Sequence, residues 1–234
     1  LFPYTTLFRS DLTKKIDKKM SSEMLLRILY MHPDHIDDNI VFGLKDLEHF
    51  IPYFDIPFQS GSDKILKKMG RINTSKQNLE LLDKIRKNFK DSIFRSTFIA
   101  GFPEETEEDF QLTLDFLSKA QIDWVGAFDY SDEDGTVAYN LKNKVKPKEK
   151  QRRLDKIMDL SEKISFQNMT RFIGTKQKIL VEESADENLF IGRFWGQAPE
   201  VDGLTVIDAP NAQIGEFIEV NIKRVNSKDL FGAI

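Results

Sequence analysis

A strand that stops at a polar tip and restarts as a helix constrains this chain more than any other feature in it. In PYFDIPFQSGSDKILKKMGR, Pro52 to Arg71, residues Phe54, Ile56 and Phe58 alternate with Tyr53, Asp55 and Pro57, the period of two that marks a strand. Gln59, Ser60 and Ser62 then gather hydrogen-bonding groups around Gly61, where the carboxyl end of a strand would meet a ligand. Ser62 is placed to cap the next helix, whose Ile65, Leu66 and Met69 share one face. Parallel α/β barrels build their binding sites from such units.

The same unit recurs. Leu26 to Met31 reads as a strand before a helix from Asp37 to about His49. Tyr53 to Gln59 leads into helical segments at Asp63 to Lys68 and Ser75 to Asn88. Ile93 to Gly101 is a third strand, followed by a helix from Glu107 to Lys119, and Trp124 to Tyr130 is a fourth. Alternating strands and helices imply a parallel sheet with helices outside it. Four units are too few to close an eight-stranded barrel, so the expected class is α/β with an open or incomplete barrel.

Lys148 to Phe172 predicts a long charged helix with Pro147 near its first turn and Gly174 at its end. Leu154, Ile157, Met158, Ser161, Ile164 and Phe166 keep an approximate apolar stripe, which predicts packing against the barrel. Short strands follow at Lys176 to Val181, Leu189 to Phe194, Thr205 to Ile207 and Phe217 to Val225. They predict a small β-barrel over 173–234, with 11–172 as the first domain. The opening LFPYTTLFRS, Leu1 to Ser10, lacks a helical or strand period and resembles translated adapter sequence, so it is expected to lie outside the fold, at the head of a fragment.

With 234 residues, 40% of them hydrophobic, the chain can bury a sizeable core. No apolar run approaches the roughly 20 residues of a membrane span. Cysteine is absent, which excludes disulfides and thiolate metal sites within these residues. A net charge of -4 argues against broad, sequence-blind nucleic-acid binding.

A second dense motif runs from Arg95 through Thr97, Ile99, Gly101, Phe102 and Pro103 to Thr106. Thr106 with Asp109 predicts a capping arrangement, and that alone accounts for the acidic run at the positive end of the helix. Thr97 and the Gly101 backbone are better ligand candidates, because a residue without a side chain admits a planar ring. Arg71 reads either as a neutraliser of its helix end or as a clamp on a ligand carboxylate. Pro33 separates His32 from His35 and denies them a shared helical face, so neither is expected to hold a metal. The loop Tyr130 to Thr136 is either a solvated turn or ligand-facing. Residues alone support a ligand-binding partial α/β barrel with a β-barrel appendage.

Together these motifs resemble the methylthiotransferase branch of the radical S-adenosylmethionine (SAM) enzymes. PYFDIPFQSGSDKILKKMGR, RSTFIAGFPEETEEDF and VGAFDYSDEDGTVAY are similar to that branch's successive strand motifs, and the last domain resembles a TRAM module. The acidic Asp132, Glu133 and Asp134, with Gly192-Arg193 and Ala198 to Gly203, are nearer the ribosomal-protein (RimO) type. Gln59-Ser60-Gly61 is nearer the tRNA-modifying type. The resemblance implies a cytoplasmic enzyme that methylthiolates the β-carbon of an aspartate in small-subunit ribosomal protein twelve. It implies SAM contacts from Gln59, Ser60, Arg71, Thr97, Ile99, Gly101 and Phe102, and substrate contacts from Asp132, Glu133, Arg193, Glu200 and Asp202.

It also implies two 4Fe-4S clusters in the parent enzyme. Their cysteines would precede Asp11, so none is ligated here and this chain alone is expected to be inactive. From Phe172 onward there are six basic and ten acidic residues, a balance of -4. Phosphate backbones call for the opposite sign, whereas a basic ribosomal protein would be attracted. Two alternatives stand beside this reading: a tRNA methylthiotransferase, and a cluster-free adaptor that binds proteins through its acidic barrel.

Overall fold

The computed structural model describes residues 5–234, with side chains from Asp11 onward. Two compact units are found, one ending at Leu160 and the other spanning Ser161–Ile234.

The first unit contains helices α1 (Thr5–Asp17), α2 (Asp38–Lys45), α3 (Asp63–Lys68), α4 (Ser75–Asn88) and α5 (Glu107–Ala120), and strands β1 (Leu26–Ile28), β2 (Phe50–Asp55), β3 (Ile93–Ala100) and β4 (Trp124–Asp129). The strands form one parallel sheet in the order β1-β2-β3-β4. This is the open arrangement expected from four strand–helix units.

Helix starts are written in side chains. Asp37 caps α2 by accepting from the Ile40 amide, and Ser62 caps α3 by accepting from Ile65. Thr74 with Gln77, and Thr106 with Asp109, complete reciprocal capping boxes. Helix α3 ends in a Schellman motif: Gly70, at φ 77°, donates to Lys67, and Arg71 donates to Leu66.

The sheet has two unlike faces. Phe54, Phe94 and Phe98, with Ile56 and Phe58 just beyond β2, are buried in the main core against Leu82 and Ile85 of α4 and Phe110, Phe116 and Leu117 of α5. Ile157 of helix α6 (Pro147–Met169) joins that core, with Leu154 and Leu160 packed on it. Each fully buried aromatic or aliphatic side chain contributes about 2 kcal/mol, so this face holds the unit together. In-register pairing places Thr97 beside Gly126 and Ile99 beside Phe128 on the opposite face.

The second unit is a closed barrel in the order β5-β6-β7-β9-β8. Its strands are β5 (Lys176–Asp186), β6 (Leu189–Phe194), β7 (Thr205–Asp208), β8 (Phe217–Val225) and β9 (Leu230–Ala233). Ile179, Val181, Phe194, Ile207, Val220, Ile222 and Leu230 fill it.

Four features depart from the sequence expectations. Helix α1 starts at Thr5, inside the adapter-like segment; residues 1–4 of that segment lie outside the described residues. Strand β1 stops at Ile28 because Tyr30 turns to φ 57° and gives its amide to the Asp55 carboxylate at 3.1 Å. Strand β9 was missed, since LFGA is too short to carry a period. Strand β2 spans Phe50–Asp55 where Tyr53 to Gln59 is expected, because Pro57 interrupts its pairing.

Candidate functional site

The site is built where β2 ends. Pro57 has no amide to donate, so regular pairing lapses after Asp55 and resumes as a single bridge between Gln59 and Phe98. The Gln59 amide donates to the Thr97 carbonyl at 2.9 Å, and Ile99 donates to the Gln59 carbonyl at 3.0 Å. These two bonds hold Gln59 at φ 70°, a conformation that costs a non-glycine residue about 1–2 kcal/mol. Its side-chain Oε1 is buried with no hydrogen-bond partner among the described residues. A strained backbone presenting an unsatisfied buried acceptor suits a ligand that brings a donor.

The face opposite the core carries the remaining polar groups. Arg95 pairs with Asp55 at 3.3 Å, their side chains 14% and 3% exposed. Arg27 lies over the Tyr53 ring, 4.5 Å from its centre. Thr97 stands beside Gly126, and Phe128, beside Ile99, is 62% exposed. Just past the strand ends, Phe102 and Tyr130 meet edge to face at 5.2 Å and pack with Ile65, Ile99 and Met69. This apolar wall is small and separate from the main core.

Gln59, Thr97, Ile99 and Phe102, all expected at the site, are therefore held together around the ends of β2 and β3. Ser60 is different. It is fully buried, its Oγ lies 3.3 Å from Thr113 Oγ1 of α5 and accepts from the Ser62 amide at 3.1 Å. Its hydroxyl bonds within the loop and to α5. Gly61 explains why: an added Cβ would lie 2.5 Å from the Leu112 carbonyl and 2.6 Å from Phe116 Cβ, so the loop is pressed onto α5.

Gly101 turns the chain just past the end of β3. It sits at φ 73°, but the space its missing side chain leaves is filled by Lys150, whose Cγ would be 2.5 Å from a Cβ there. Its amide donates at 2.8 Å to Glu105, a buried carboxylate that Arg153 of α6 meets at 2.6 Å. Burial pushes Glu105 above the ordinary carboxylate range, against the opposing pull of Arg153 and the Gly101 amide. Lys150, Glu105 and Arg153 are supports that sequence reasoning missed; a buried Glu-Arg pair between distant elements has no local signature.

Arg71 is half-buried, with its guanidinium against His32 Nε2. Burial pulls it down, and the Asp34 charge opposes that. Asp34 accepts the amides of Ile72 and Asn73 at 2.9 and 3.0 Å, so the turn after β1 holds the Arg71 segment. His35 is exposed.

The expected substrate residues are split between the units. Asp132 pairs with Lys144, and Glu133 is exposed in the same loop. In the barrel, Arg193 forms two bonds to the Glu182 carboxylate, Asp202 accepts the Ala198 amide at 2.8 Å, and Glu200 is exposed at φ 66°. Arg193 thus joins β6 to β5, and Asp202 closes the turn from Ala198.

The donor set of the first unit fits SAM on two counts: the Gln59 acceptor lacks a donor such as a ribose hydroxyl supplies, and Ile99, Phe102 and Tyr130 offer an apolar wall to a flat base. An iron–sulfur cluster is not matched, since no residue of the chain is cysteine.

Residues 5–117 match the Radical SAM superfamily, and residues 173–234 match the TRAM domain. The ribosomal protein uS12 methylthiotransferase RimO of Thermotoga maritima is 42% identical over 224 residues, covering 96% of this chain and 51% of that protein. Its namesake in Pseudothermotoga lettingae is 38% identical over 232 residues, 99% of this chain and 54% of the relative. The chain spans about half the length of the curated relatives it matches. Among solved structures, the coproporphyrinogen III oxidase HemN of Escherichia coli, a radical SAM enzyme, is similar with a TM-score of 0.58 at 18% identity, over 73% of this chain and 39% of that one. That likeness concerns the fold alone.

Proposed function

We propose that this chain, which matches the Radical SAM superfamily over residues 5–117 and the TRAM domain over residues 173–234, is the cofactor-wall and TRAM portion of a radical SAM enzyme that methylthiolates ribosomal protein uS12. The observation that carries this is the buried, unpartnered Gln59 Oε1, fixed between Thr97 and Ile99.

In this reading Gln59 Oε1 accepts a hydrogen bond from a ribose hydroxyl, and Thr97 lies beside it on the pocket face. Ile99, Phe102 and Tyr130 exclude water from the adenine, and their wall is braced from behind by Lys150 and the Glu105–Arg153 pair. Arg71 lies close to the His32 turn and would meet the cofactor's amino-acid end. When bound, SAM supplies radical chemistry at an unactivated C–H bond. No thiolate is available here for a cluster, so the chain's own part is to bind and orient.

The exposed carboxylates of the barrel, among them Glu183, Asp186, Glu187 and Glu216, favour a basic protein partner over a phosphate backbone. The place of action is then the cytoplasm, where ribosomes are. A chimera joining the N-terminal half of the Thermotoga maritima relative to this chain tests the proposal. Mass spectrometry of uS12 from cells lacking their own enzyme should show the methylthio group. Modified tRNA with unmodified uS12 would reject the substrate; neither modification would reject the activity.

A further inference from the structure

We propose that Asp134 and Gly135 form a self-modifying site, at which the chain converts Asp134 to a β-linked isoaspartate through a cyclic imide. The two residues are the centre of a turn that follows β4, closed by the Thr136 amide donating to the Glu133 carbonyl at 3.3 Å. Gly135 sits at φ 79°, a left-handed conformation that favours glycine at the third position of a turn. Both residues are exposed, and a Cβ built on Gly135 would meet no atom within 4 Å. Neither the Asp134 carboxyl group nor the Gly135 amide has a hydrogen-bond or ion-pair partner among the described residues. The attacking nitrogen, the reacting carboxyl group and the space a ring needs are therefore free together.

The Gly135 amide nitrogen attacks Cγ of the protonated Asp134 carboxyl group. A C–N bond forms, the carboxyl C–OH bond breaks, and the amide proton leaves with that hydroxyl as water. Glycine suits the attack because no Cβ shields its nitrogen. Water then opens the five-membered imide at the Asp134 main-chain carbonyl. That C–N bond breaks, and the side-chain carbonyl stays bonded to Gly135. The backbone is longer by one methylene and its charge is unchanged; the only co-reactant is water.

The chain holds a second Asp-Gly pair, and the fold closes it. Asp202 accepts the Ala198 amide at 2.8 Å. Gly203 is buried, with the Lys228 carbonyl oxygen 1.7 Å from where its Cβ would be. Identical dipeptides thus stand in opposite environments, so folding rather than residue order selects Asp134. The consequence falls on the loop of Asp132, which pairs with Lys144. A longer turn so close to that pair shifts Asp132 and Glu133 relative to β4.

The test incubates the whole folded chain at mildly acidic pH and, in parallel, in denaturant. Both dipeptides are followed by peptide mapping with a fragmentation that distinguishes the two linkages. In the folded chain isoaspartate should accumulate at Asp134 about tenfold or more faster than at Asp202, where the reactive geometry requires local unfolding. In denaturant the two rates should converge. A peptide lighter by one water, caught on the way, identifies the imide. Asp134→Glu, whose longer side chain would have to close a six-membered ring, should leave no product at that position and the melting temperature unchanged. Equal rates at Asp134 and Asp202 in the folded chain, or conversion of Asp134 in denaturant alone, overturns the proposal.

Discussion

Ile99 donates its amide to the Gln59 carbonyl at 3.0 Å, beyond the point where β2 ends at Asp55. This bond, with its companion from Gln59 to Thr97, fixes a non-glycine residue in the left-handed region at the edge of the proposed cofactor wall.

Replacing Gln59 by glycine should therefore separate stability from binding. Glycine tolerates φ 70° without the steric cost, so the melting temperature of Gln59→Gly is expected to stay level or rise. Its affinity for SAM should fall about tenfold or more, the worth of a buried hydrogen bond. Thermal denaturation and calorimetry on the same sample read both. A large drop in melting temperature would mark the Gln59 side chain as a structural member.

Gly61→Ala should behave in the opposite way. Its Cβ would meet the Leu112 carbonyl at 2.5 Å and Thr113 Cα at 2.7 Å, backbone atoms that cannot step aside. A loss on the order of 3 kcal/mol is expected by denaturant unfolding. Loss below half that figure would show that the loop moves freely off α5.

Much of this arrangement was legible in residue order, and what escaped has physical reasons. Helices α3 and α4 match their expected bounds to the residue, and the structure shows what sets them: Ser62 and Thr74 cap them and Gly70 ends the first. The alternation of Phe54, Ile56 and Phe58 foretold the buried face, yet not the lapse at Pro57 that frees Gln59 for its special geometry. Ser60 is expected at the site from its place among the polar groups around Gly61, and its contact with Thr113 has no signal in residue order. Arg95 and Asp55 are forty residues apart as the chain runs and meet only through β2–β3 pairing. No local pattern could have joined them, nor Glu105 to Arg153.

Asp109 predicts an acid response. Burial alone would raise its pKa, but hydrogen bonds from Lys64, Thr106 and Ser62 prevail and hold it at about 2, below the ordinary 3.8. A carboxylate depressed in the folded state stabilises above its unfolded pKa, and that contribution is lost as pH falls through the folded value. Stability from this group should thus be complete above about pH 4 and decline towards pH 2. Asp109→Asn should flatten that part of the profile in a pH series of thermal melts, and an unchanged slope would refute the assignment.

The closed barrel leaves no free sheet edge, so a segment spanning Ser161–Ile234 is expected to fold by itself, with dispersed amide signals in NMR. Gly203→Ala should prevent this, since a Cβ there would lie 1.7 Å from the Lys228 carbonyl oxygen. A folded alanine variant would show that the β9 approach is looser than the structure has it.

The most direct test of the central claim is calorimetric titration of SAM into the 234-residue chain and into Gln59→Leu, which keeps the side-chain bulk and removes the amide. The account predicts saturable one-to-one binding by the unsubstituted chain and at least about tenfold weaker binding by the variant. Equal affinity in the two proteins, or no binding in either while both remain folded, would contradict it.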